Sequence, residues 1–156
     1  MKLNLQMAKH LRELFLGGNW PGSSMKEQLA DLTWEQAITP VDELNTIAVL
    51  VFHINYYIVN ASKYLEGNPE PSVDLDSFKV PEINSLKDWN KLKDHTWVEV
   101  EHFSQLLEAM PEEKLWDFYK KEAYGTCYRI FQGIIEHGYY HLGQIALIKK
   151  LLLSNK

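Results

Sequence analysis

A single cysteine, Cys127, stands in the 156-residue chain, which excludes an internal disulfide framework and suits a reducing compartment. Positive charge is in deficit as well. Sixteen Lys and Arg against 21 Asp and Glu leave a net charge of −5, a poor match to a nucleic-acid polyphosphate. No apolar run approaches the roughly 18 residues that a membrane span requires. The opening MKLNLQMAKH is broken by Lys2, Lys9 and His10, unlike the core of a signal peptide. What is present is ordinary globular composition, 46% hydrophobic and 24% charged, too apolar for intrinsic disorder. The expectation is one cytoplasmic domain over residues 1–156, with neither nucleic acid nor membrane as partner.

Apolar spacing predicts helix nearly everywhere. Leu3, Met7, His10 and Leu14 share one helical stripe that Gly17-Gly18 ends. A loop over 19–24 leads to a short helical piece from about Met25 to Ile38, stopped before Pro40. Asp42 is placed to cap a long helix through Leu44, Ile47, Val51, Ile54, Ile58, Ala61 and Leu65. Residues 68–84 hold Pro69, Pro71 and Pro81 without helical period and are expected to be an extended crossover. Ser85 and Asp88 resemble a capping box before a third long helix, whose buried face would run from Trp89 through Thr96 and Phe103 to Met110. Pro111 with Glu112 and Glu113 starts a short turn, and Thr126 can cap a last helix ending near Leu153. The expected architecture is all-α: a four-helix bundle with long crossover connections and short extra helices.

The last helix carries two apolar stripes. Ile130, Ile134, His137, His141, Ile145, Ile148 and Leu152 form one; Phe131, Ile135, Leu142, Ala146 and Leu153 form the other. Two stripes fit a helix enclosed by neighbours of its own bundle, or a subunit interface. The second stripe is the basis for expecting a homodimer.

Six histidines are present. His137 and His141 are four apart, so both imidazoles project from one helical face, a spacing that chelates divalent metals. That spacing arises by accident often enough to decide little alone. Placement adds weight, because both interrupt the innermost stripe, where an imidazole without a partner is costly. His53 sits mid-helix on a face with Thr46, Leu50, Tyr57, Asn60 and Tyr64, half apolar and half polar-tipped, as in the wall of a pocket. Facing helices can bring His53 to the pair; hydrogen-bonded core histidines are the competing reading. His10 is a further candidate pointing into the bundle, while His95 and His102 lie about 100° off their apolar stripe and belong to solvent.

At this point the sequence resembles a known family. GIIEHGYYHLGQIALIKK (Gly133 to Lys150) is similar to the H-x-x-x-H-x-G-Q-I signature that closes the DinB-like superfamily of metal-binding four-helix bundles. LNTIAVLVFHINYY (Leu44 to Tyr57) resembles that family's helix with the remaining histidine, and GGNWPGSS and LTWEQA its first connection. The resemblance spans essentially the whole chain. It implies a metal held by His53, His137 and His141, and it extends to thiol-dependent S-transferases that use bacillithiol or mycothiol.

Gly138 follows His137, where a zinc-protease motif would place glutamate as general base, so peptide hydrolysis is disfavoured. An open three-histidine metal, zinc or nickel, could instead activate a low-molecular-weight thiol toward a small-molecule substrate. Tyr57, Asn60 and Tyr140 are candidates to orient that substrate, with Trp20 as a pocket wall. Lys9, Arg12 and Arg129 are single cations available to a charged thiol. The alternative is a non-catalytic, stress-related or regulatory metal-binding bundle. Gly133, Gly138 and Gly143 make room near the metal or for close helix packing, the latter expected for Gly143. Cys127 is read as structural.

Overall fold

A computed structural model describes residues 2–154 as helices joined by turns, with no strand among them. Six α-helices are present: α1 (Leu3–Leu16), α2 (Met25–Leu29), α3 (Trp34–Ile38), α4 (Ile47–Leu65), α5 (Leu86–Ala109) and α6 (Cys127–Ser154). Three short 3₁₀ turns, Asp74–Phe78, Glu112–Trp116 and Glu122–Tyr124, lie in the connections. Helix α5 packs against α1 and α4, and α6 closes the opposite side against the same two helices. The core between them includes the fully buried Phe15, Trp89, Phe103 and Phe131. Each such side chain contributes about 1.5–3 kcal/mol by leaving water.

Local chemistry explains most helix starts. Ser85 Oγ accepts from Asp88 N and Thr126 Oγ1 from Arg129 N, both at 3.2 Å, so two expected caps hold. Two other boundaries differ from expectation. The stretch Met25–Ile38 is two helices, because Thr33 and Gln36 form a capping box of their own and restart the chain. Helix α4 begins at Ile47 under Thr46, whose Oγ1 accepts from Val49 N at 3.3 Å. Asp42 does not cap it; it sits in a turn with φ of 47°.

The 68–84 segment is also not wholly extended. Its 3₁₀ turn Asp74–Phe78 packs on α4. Tyr56 Oη donates to Val73 O (3.1 Å) and accepts from Val73 N (3.0 Å), and Tyr57 Oη donates to the Asp74 carboxylate. A periodicity test is blind to a turn of five residues.

Both stripes of α6 face inward where they matter. Phe131, Ile135 and Leu142 are buried within this chain, which removes that stripe as the basis for a dimer, and only Leu153 at its end is exposed. Helices α1, α2 and α4 and the Glu112–Trp116 turn are the neighbours of α6. No helix among the described residues is long and apolar enough to cross a membrane.

Candidate metal centre

Contact between α4 and α6 brings three imidazoles together. His53 and His141 are buried and His137 half-buried. His137 and His141, one turn apart, have ring centroids 4.3 Å apart; the His53 ring lies 4.8 and 4.9 Å from them. Their inner nitrogens meet: Nε2 of His137 is 3.0 Å from Nε2 of His53 and 2.8 Å from Nε2 of His141. One ligand atom from each of the three lies within 4.8 Å of the others, so the trio could hold a metal ion.

The outer nitrogens determine what the inner ones present. Ser77 spends its only hydroxyl proton on Asp74 O (2.5 Å) and so accepts from His53 Nδ1–H at 2.8 Å. Gln144 turns its amide nitrogen to Tyr140 Oη (3.2 Å), leaving Oε1 to accept from His141 Nδ1–H at 2.6 Å. These tautomers, assigned from the hydrogen-bond network, leave Nε2 of both rings unprotonated and aimed at His137. A neutral His137 has one proton to offer, so the cluster holds more lone pairs than N–H groups. A cation resolves that imbalance, and outer partners of this kind are what orient histidine ligands.

Protonation is a poor substitute for a metal ion here. Burial first, then the neighbouring His141 and His53, pushes the His137 pKa down to about 4. Burial and His141 lower that of His53, and burial lowers that of His141 against the Gln144 hydrogen bond. All three stay neutral at pH 7, the form that ligates.

Phe78 stacks on His53 with centroids 4.2 Å apart, and Tyr57 stands edge-on to His53 and His137 at 5.2 and 5.1 Å. Beside His137 an open cleft of about 390 Å³ is lined by Tyr57, Tyr124, Arg129, Ile130, Gly133 and Ile134.

Of the sequence candidates, His53, His137, His141 and Tyr57 are therefore brought together. Asn60 lies two turns along α4 from His53, off the cleft, with Nδ2 donating to Tyr56 O at 2.8 Å. Tyr140 is 63% exposed and only flanks the site, its ring 4.9 Å from that of His141. His10 is exposed, because the buried face of α1 centres on Leu11 and places His10 about 100° away. Trp20 is 99% exposed and walls nothing. Glu136 is exposed and lies near Arg129, with Oε2 3.7 Å from Nη1.

Sequence reasoning missed Ser77, Phe78 and the role of Gln144. Gln144 lies inside the motif already quoted, so its spacing could have been used. Ser77 carried no signal. Comparison with family models, curated proteins and solved structures finds no match to this chain.

Proposed function

We propose that this chain is a DinB-like four-helix bundle in which His53, His137 and His141 hold a divalent metal, zinc or nickel. We further propose that the site serves a thiol S-transferase reaction on a small-molecule substrate, with a low-molecular-weight thiol as donor. The observation that carries the metal is the convergence of three neutral imidazoles, two with Nε2 freed by Ser77 and Gln144. The observation that favours transfer over a merely structural role is the cleft opening beside His137, since a catalytic site keeps a position open to solvent.

When bound, a divalent ion lowers the pKa of a coordinated thiol, supplying thiolate at neutral pH. The chain's part is to keep the imidazoles neutral and to fix their direction, with Phe78 and Tyr57 packed against the rings. A thiolate supplied in this way would bond through sulfur to an electrophilic carbon, whose leaving group would depart with the bonding pair while the thiol proton passed to solvent.

Metal analysis with a thiol-consumption assay against monochlorobimane tests both parts. Alanine at His53, His137 or His141 is expected to remove most metal from protein purified without added ions. Full occupancy in His53→Ala overturns the three-ligand site. Metal-dependent thiol consumption that disappears in His137→Ala supports the transferase; a loaded protein without turnover leaves the non-catalytic bundle.

A further inference from the structure

The cleft has a charged end that the metal proposal does not use. Arg129 lies about two turns before His137 on α6, and its side chain folds across Gly133: a Cβ built there would lie 2.9 Å from Arg129 Nη1. Glycine is what allows the guanidinium to lie against the cleft wall. Its ion pair with Glu136 is 3.7 Å long between side chains 68% and 60% exposed, a contact of little strength that a better partner displaces.

The other cations named from the sequence are committed elsewhere. Arg12 donates to Glu101 through Nε and Nη2 at 2.9 and 3.0 Å and also binds Glu108, tying α1 to α5. Lys9 pairs with Glu13 of its own helix at 3.5 Å. A second positive charge does neighbour the cleft, since Lys121 Nζ lies 4.4 Å from the ring centroid of Tyr124, a lining residue. Between Arg129 and His137 the cleft is lined by the apolar side chains of Ile130 and Ile134.

We infer that the cleft takes a small molecule carrying a carboxylate on a short apolar body, the acid group bound by Arg129 and the other end directed to the histidine cluster. A planar guanidinium matches a carboxylate with two parallel hydrogen bonds. The apolar strip of Ile130 and Ile134 selects against a highly polar body. The inference deepens the proposed function by naming the substrate class, and its second half rests on that reading; the carboxylate anchor does not.

The test uses the full chain loaded with Co(II), whose sulfur-to-metal charge-transfer band reports thiol on the metal. Probes are ω-mercaptoalkanoates from mercaptopropanoate to mercaptohexanoate with their amides, plus hexanoate and hexanamide, followed by calorimetry on loaded and metal-free protein. Acids are expected to bind about tenfold more tightly than the matched amides, and Arg129→Met to abolish that preference at unchanged metal content. Gly133→Ala, whose methyl displaces the guanidinium, is expected to reduce the preference while leaving the helix intact. Equal affinity for acid and amide in the parent protein overturns the inference, as does a preference that survives in Arg129→Met. Absence of the charge-transfer band with every thiol, alongside an Arg129-dependent preference for hexanoate, overturns the thiol reading and leaves the anchor standing.

Discussion

Ser77 and Gln144 never touch the space between the three Nε2 atoms, yet they decide what those atoms can do. Each accepts an Nδ1 proton, at 2.8 Å for His53 and 2.6 Å for His141, and so holds a lone pair on the inner nitrogen. Without such an acceptor the ring can flip or take the other tautomer, and ligation must then include the cost of reordering it. Ser77→Ala and Gln144→Leu are therefore expected to weaken metal affinity about 10–100-fold each while preserving the fold. Competition against a chromophoric chelator measures this. An unchanged affinity in both variants would show that packing alone, through Phe78 and Tyr57, orients the rings.

Within α6, three glycines have three different surroundings. Gly143, expected to serve close packing, has nothing within 4 Å of a built Cβ. Gly143→Ala should stabilise the helix by up to about 1 kcal/mol, seen as a rise in Tm of roughly 2–4 °C. Gly138 is the close-packed one: a Cβ there would overlap the Leu14 side chain of α1. Gly138→Ala should cost about 1–3 kcal/mol despite its better helix propensity. Thermal melts of the two variants moving in the same direction would contradict this assignment. Helix α6 thus places its histidines partly through the one glycine that lets α1 approach beside His137.

For the molecule as a whole, burial decides both assembly and pH response. Leu142 lies inside the core at 5% exposure, so Leu142→Glu should destabilise the fold by more than about 3 kcal/mol. A variant that melts like the parent and changes only its sedimentation would restore that stripe as a subunit interface. At alkaline pH a second buried group matters. Tyr119 packs on Tyr64 with ring centroids 4.2 Å apart, and burial, then Tyr64 and Cys127, pushes its pKa from 10.0 up to about 12. The unfolded chain therefore loses this proton first. The contribution is complete below pH 10 and is lost between about 10 and 12, worth roughly 2–3 kcal/mol. Burial raises Tyr64 and Cys127 in the same direction. Tyr119→Phe should move the alkaline unfolding midpoint upward; a midpoint that stays or falls sinks this account.

Helical content, the caps at Ser85 and Thr126, the buried face of α5 and the His137/His141 pair were legible in the sequence. Each depends on neighbours within about a turn, where 3.6-residue periodicity and capping chemistry operate. Placement on a half-polar face allowed His53 to meet that pair and the family resemblance implied it, but the distances required α4 to meet α6. Its place on the Leu3, Met7 and Leu14 stripe made His10 a candidate for the bundle interior, but the buried face of α1 centres on Leu11 and His10 lies outside. Periodicity could not reveal that a 3₁₀ turn in a proline-rich crossover returns to α4 and sets Ser77 on His53. A local pattern records what a residue prefers, whereas a tautomer, a cleft wall or a displaced glycine depends on what another part of the chain brings to it.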